Sequence, residues 1–357
     1  MRTMHPVVGL GSYRWDPEWL PLDEFEERVR AVRREMAARG WSHLIVHGNS
    51  QDCAALTYLT NFFPRNRWAI ALVPAQGPIK LLVAGSTRDL PAASLLTWVK
   101  DVASYGDATK IIPGWIGDTK PKIALAGESF MRHAVHETVV GAAHKLAKVE
   151  SADEVLAGLM AEKRPRELSM IRKSCAILAS TVDALKREKT KGASVVAATV
   201  EAERVGRAMG AQDIRILFSL DGGKTLRPFE EMSEARCDPL VAYVAARYLG
   251  YWSEAMVTLA DKPSAARQAA SRALDGLLAA AKPGTRLPAS TTKPHPVLGD
   301  RPGHAIGLSL DEGDAALQPG GVYSLHVGIA DDAAGNALMS AMVAVGADGN
   351  EILWRDA

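Results

Sequence analysis

The sequence predicts an α+β protein of two domains, an α/β domain over residues 1–150 and a second domain over 151–357 built of helices followed by a mostly antiparallel sheet. Three observations predict it. The chain has 357 residues, more than one ordinary core needs. Up to about residue 150, short apolar runs alternate with helical periodicities. Beyond that point long helical patterns come first and strand-like runs come after them.

The elements follow in order. "DEFEERVRAVRREMAARG" has the apolar spacing of an amphipathic helix, and Gly40 ends it. "HLIVHG" reads as a short buried strand. "WAIALVPAQGPIKLLVAG" reads as two strands joined by a Gly-Pro turn. "ASLLTWVKDVASYG" is read as a further helix and "PKIALAG" as a further strand. The second half opens with a long helical stretch that Pro165 breaks in two, with Arg166 and Glu167 in the first turn of the second helix. "ASVVAATVEAERVGRAMG" is a helix ending at Gly210. The strand-like pieces are "IRILFSL", "PLVAYVAARYLGYWSEAMVTLA", "GVYSLHVGIA" and "ALMSAMVAVGADGNEILW". One helix, "SAARQAASRALDGLLAAAKPG", lies between them.

Composition narrows the function. The 42 basic and 41 acidic side chains nearly cancel and form no basic run, which argues against nucleic acid or an anionic membrane as the main partner. No run of about 18 uncharged apolar residues offers a membrane span. The first 25 residues lack the long apolar core of a signal peptide, so the expected location is the cytoplasm. Cys53, Cys175 and Cys237 lie far apart without CxxC spacing, as reduced buried thiols do.

Three stretches carry the chemistry: "GYWSEAMV" with Glu254, "PGHAIGLSLDEGD" with His304, and "QPGGVYSLHVGI" with His326. Together with "KRPRELSMIRKSCAI" they stand in the order and near the spacing of the creatinase and methionine/proline aminopeptidase family. The second domain resembles that family's pita-bread fold, with its curved sheet, from about residue 163 to the end. The first domain, including "ALTYLTNF", resembles the creatinase amino-terminal domain. The resemblance implies a homodimer acting on a small molecule.

The departures matter as much as the matches. The family holds two metal ions with two aspartates, a histidine and two glutamates. By the resemblance the first aspartate falls on Tyr243 and the second on Glu254. The histidine is His304, the first glutamate falls on His326, and the last falls near Met339. The family's proton-handling histidine falls on Phe229, which is counted with the residues facing substrate. The second histidine of its histidine motif falls on Asp311. One helix after "KPG" is missing.

One ancestral metal set is thus reduced to Glu254 alone, which cannot hold an ion against water. The other keeps Glu254, His304 and His326, with Met339 at most a weak fourth ligand. Two histidines and one carboxylate with open positions suit Fe(II) and also Zn. His304 is expected to donate its second ring nitrogen to a carboxylate or carbonyl. The opposing reading is that these are polar remnants of a decayed pocket.

Asp311 and Glu312 are candidate general acids or bases, on the premise that a buried carboxyl beside an apolar wall has a raised pKa. Glu312 can equally be a structural hydrogen-bonding residue. Tyr243 can donate to a substrate oxygen or fill the vacated metal volume. Arg65 and Arg67 stand where creatinase-like proteins present an arginine to the active site across the dimer interface, where it would clamp a substrate carboxylate. His295, flanked by prolines, reads as a surface residue. The reading that follows is an enzyme with one divalent ion, hydrolytic or lyase, distinct from an ordinary aminopeptidase. A metal-free creatinase-like C–N hydrolase, an oxygen-activating Fe(II) enzyme and a non-catalytic binding protein remain the alternatives.

Overall fold

The computed structural model describes residues 10–11, 13–117, 121–228, 234–262, 264–288, 295–313, 316–331 and 335–356. The chain divides into two compact units, Met1–Met160 and Ala161–Ala357.

The amino-terminal unit holds a six-stranded mixed sheet. Its strands are β1 His43–Asn49, β2 Trp68–Pro74, β3 Lys80–Val83, β4 Asp101–Ser104, β5 Lys122–Ala126 and β6 Lys148–Ser151, in the order β4-β3-β2-β1-β5-β6. The helix Leu22–Arg39 stops at Gly40, whose φ of 69° lets the chain leave in the left-handed conformation. β2 and β3 form the hairpin that the Gly-Pro turn predicts. The helices Ala108–Ile116 and His133–Leu146 cover a core containing Ile45, Ile70, Leu72, Leu82 and Ile123.

The helix expected over "ASLLTWVKDVASYG" is not formed. Only Leu90–Ala93 is helical, and Asp101–Ser104 becomes β4, parallel to β3. Two tertiary hydrogen bonds override the local pattern. Thr97 Oγ1 donates to Thr60 O, and Trp98 Nε1 donates to Leu59 O at 2.9 Å.

In the carboxy-terminal unit Pro165 sits in the first turn of the helix Pro165–Thr190, where its missing N–H costs nothing. The helix Val195–Ala208 follows. β7 Asp213–Phe218, β8 Leu240–Tyr248 and β9 Tyr251–Leu259 form a three-stranded antiparallel sheet. After the helix Ala265–Ala280 come β10 Gly303–Ala305, β11 Val322–Asp331, β12 Gly335–Val345 and β13 Asn350–Arg355, an antiparallel four-stranded sheet in chain order.

Hydroxyl groups join the two sheets where β9 meets β12. Met256 N donates to Ser340 Oγ at 2.7 Å, and Thr258 Oγ1 donates to Leu338 O at 3.0 Å. These bonds satisfy backbone groups that would otherwise be buried unpaired. Strand alternation then sorts the faces. Leu325, Val327, Met339 and Ala341 pack against Ala266, Ala270, Leu274 and Leu277 of the helix Ala265–Ala280. Ser324, His326 and Ser340 therefore point to the opposite face, and the candidate site lies there. Met339 belongs to the apolar core, so it is no fourth ligand; Ser340, paired directly with His326, takes the site-side place.

Candidate metal centre

Glu254 lies in the middle of β9, a strand buried along its whole length. Its register partner on β8 is Ala245, and Tyr243 is the diagonal neighbour on the same face. His304 lies on β10, paired with Ser324 of β11, and His326 lies two residues further along β11. β10 comes this close to β11 because of Gly303. Its φ is +150°, and a Cβ there would stand 2.2 Å from Ser324 O.

The three side chains converge. Glu254 Oε1 stands 3.0 Å from His304 Nε2 and 2.9 Å from His326 Nε2. All three residues are buried, and their ligand-type atoms lie within 4.8 Å of one another. It is the one such group among the described residues. The two imidazole rings meet edge to face at 5.0 Å. Tyr243 OH donates to the other carboxylate oxygen, Oε2, at 2.8 Å. Ser324 Oγ lies 2.9 Å from His326 Nε2.

The electrostatics follow from these contacts. Burial alone would raise the Glu254 carboxyl, but hydrogen bonds from His304 and His326 hold it well below the usual range. Burial alone would lower His304, and the hydrogen bond and charge of Glu254 outweigh it and raise the ring. Burial, then the charge of Glu254, pushes Tyr243 up, so its hydroxyl stays protonated.

The donor set fits a metal ion. His304 Nδ1 lies 3.1 Å from Ala305 O. A carbonyl only accepts, so Nδ1 carries a proton; the protonated ring then donates Nε2–H to Glu254, and the neutral ring leaves Nε2 bare. That bare lone pair faces a carboxylate oxygen at 3.0 Å, which is repulsive unless a proton or a cation lies between them. Two donor atoms each about 2.1 Å from one ion are about 3.0–3.4 Å apart at octahedral or tetrahedral angles. Ala305 O is also the carbonyl partner that the sequence required of His304 without naming it.

The remaining sequence-predicted residues lie as follows. Asp311 is 4.0 Å from His304 Nδ1 and half exposed. It forms a two-pronged pair with Arg301 at 2.6 and 3.0 Å. The Arg301 hydrogen bonds hold its carboxyl below the usual range, so the premise of a buried carboxyl with a raised pKa does not hold there. Glu312 is bound to Lys163 Nζ at 2.5 Å. Arg65 and Arg67 belong to the amino-terminal unit, where both are exposed and Arg67 Nη1 donates to Ala84 O at 2.9 Å. Phe229 lies outside the described residues. His295 is no surface residue: it is only 2% exposed.

Comparison with known proteins bears on the fold. Residues 28–159 match the model of the creatinase/prolidase N-terminal domain. The prolidase from Pyrococcus horikoshii OT3 is 17% identical over 92% of this chain and 97% of its own, with a TM-score of 0.71. Dipeptidase PepE from Mycobacterium ulcerans is 19% identical over 97% of this chain and 98% of its own, TM-score 0.71. Residues 28–159 form a creatinase/prolidase N-terminal domain, and the chain as a whole shares the fold of this prolidase and dipeptidase. Zn-substituted aminopeptidase P from Escherichia coli, in complex with product, is 16% identical over 93% of this chain and 94% of its own, TM-score 0.71. At such identities the likeness to the solved structures is one of fold. No curated protein matches the sequence.

Tyr243 spends its hydroxyl on Glu254. Sequence reasoning missed Ser324 and Lys163. Ser324 had a signal, since "SLH" puts it two residues from His326 on the same strand face. Lys163 had none, being 149 residues from Glu312.

Proposed function

We propose that the chain is a small-molecule hydrolase whose centre holds one divalent ion, Fe(II) or Zn, through Glu254, His304 and His326. The single observation that carries this reading is the convergence of His304 Nε2 and His326 Nε2 on Glu254 Oε1, at 3.0 and 2.9 Å. Three protein ligands leave positions open for water and substrate, as catalytic sites do. Such an ion polarises a carbonyl or lowers the pKa of a bound water.

The chain's own residues do the rest. Glu254 offers Oε1 inward while Tyr243 holds Oε2, so the carboxylate acts through one oxygen. Ala305 O fixes the His304 tautomer. In a homodimer, Arg65 or Arg67 clamps a substrate carboxylate. The fold relatives include a prolidase and an aminopeptidase P, which supports a C–N bond as the bond broken. The loss of ligands from the second metal set supports a reaction other than ordinary aminopeptidase cleavage.

Elemental analysis of protein purified without added metal or chelator tests the reading. About one ion per chain is expected, lost in His326→Ala. Absence of stoichiometric metal, with activity that survives a strong chelator, would leave the metal-free creatinase-like mechanism with His304 as proton carrier.

A further inference from the structure

A third buried histidine, His295, packs against the strand that carries His326. The turn His295–Gly299 closes on itself, with His295 N donating to Gly299 O and Gly299 N donating to His295 O, both at 2.8 Å. Val297 and Leu298 pack against Val241, Met256 and Leu338, a cluster against which Tyr243, the residue that holds Glu254, also packs. The ring of His295 lies over Gly328: a Cβ at Gly328 would come within 2.7 Å of the His295 Cβ and Cγ. Gly328 is two residues beyond His326 on β11, so both face the same side, roughly 7 Å apart along the strand. Only glycine leaves room there for the imidazole.

The hydrogen bonds of the ring fix its tautomer. Val297 N–H donates to His295 Nδ1 at 3.1 Å. A nitrogen that accepts carries no proton, so Nε2 carries it. Nε2 is buried and has no hydrogen-bond partner among the described residues. Burial also lowers the pKa of the ring, which keeps it neutral. An unmatched buried donor costs about 1–3 kcal/mol, and such exceptions in a folded protein call for a reason. A protonated Nε2 is the wrong partner for a cation and the right one for an oxygen.

We propose that His295 Nε2–H donates a hydrogen bond to a carbonyl or carboxylate oxygen of a small molecule bound at the Glu254–His304–His326 centre. The inference rests on the metal reading above and adds to it a specificity residue. Val297 and Leu298 beside it would accept an apolar flank on the same molecule.

The test uses the full chain loaded with Co(II), titrated with acetohydroxamate and followed by the visible cobalt bands. His295→Phe should weaken hydroxamate binding about tenfold or more while cobalt affinity stays unchanged. His295→Gln, which keeps an N–H donor, should recover much of the loss. In the wild type, the 15N-resolved Nε2–H signal of His295 should shift on adding hydroxamate, a readout that does not depend on a variant folding. Unchanged hydroxamate affinity in His295→Phe, or an unmoved Nε2–H signal, overturns the inference alone. Cobalt lost in step with hydroxamate in His295→Phe overturns it in favour of a structural role. Failure of the wild type to take up cobalt removes the metal reading and this inference together.

Discussion

Tyr243 donates to Oε2 of Glu254 at 2.8 Å and so leaves Oε1 alone to face the two histidines. Tyr243 therefore does more than fill volume: it commits one carboxylate oxygen and leaves the other to the histidines. Tyr243→Phe keeps the packing and removes this bond. Metal affinity should fall about 10–100-fold, the usual effect of losing a partner that orients a ligand, while the protein stays folded. Calorimetric titration with Zn reads it, and unchanged affinity would reduce Tyr243 to a space filler.

His326→Ala should lose most of the metal and the activity together. Met339→Leu should keep both, because Met339 packs with Leu274 and Leu277 on the opposite face of the sheet. Metal lost equally in both variants would contradict the assignment of faces.

The grouping of Glu254, His304 and His326 is legible in the sequence. The three residues stand in collinear motifs, and the helix break at Pro165 follows from its missing N–H. What sequence spacing could not show was tertiary. Nothing local says that Thr97 and Trp98 bond to the end of the helix Ala54–Thr60, so the periodicity there read as helix. The helix Ala108–Ile116 escaped notice because Pro113 lies inside it. His295 read as exposed because prolines flank it, and only the packing of its turn on Gly328 buries it. Asp311 looked enclosed until Arg301, ten residues earlier, proved to hold it at the surface.

Glu312 can be separated from catalysis by its partner. The Lys163 side chain is 2% exposed and that of Glu312 13%, with Nζ 2.5 Å from Oε2. Removing one member of a buried pair costs about 3–5 kcal/mol, because the other charge is left uncompensated. Lys163→Met should lower the unfolding midpoint markedly, and replacing both residues by apolar ones of similar size should restore much of it. Metal content should not change in the doubly substituted protein. A catalytic Glu312 would instead show lost turnover with unchanged stability in Glu312→Gln.

The arginines give a third kind of test. If Arg65 or Arg67 clamps a substrate carboxylate, its change to alanine should weaken binding by roughly 1.5–3 kcal/mol. Folding should survive, since both are exposed and such positions carry little stability. A loss of folding with substrate affinity intact speaks against the clamp.

The pH dependence should reverse with metal. Without metal, Glu254 has a depressed pKa, so its contribution is present above its ordinary value of 4.5 and is lost as pH falls through the folded value. His304 has a raised pKa, so its contribution is present below its ordinary 6.5 and is lost as pH rises through the folded value. The chelated protein therefore gains most from this cluster between those two ordinary values. With metal, protons compete for the same imidazole nitrogens, and binding strengthens as pH rises past the raised value of His304. The difference in Tm between Zn-loaded and chelated protein should widen steadily from about pH 5.5 to about pH 8, and Glu254→Gln should abolish the trend. A difference that stays flat across that range would mean that the histidines do not bind the ion.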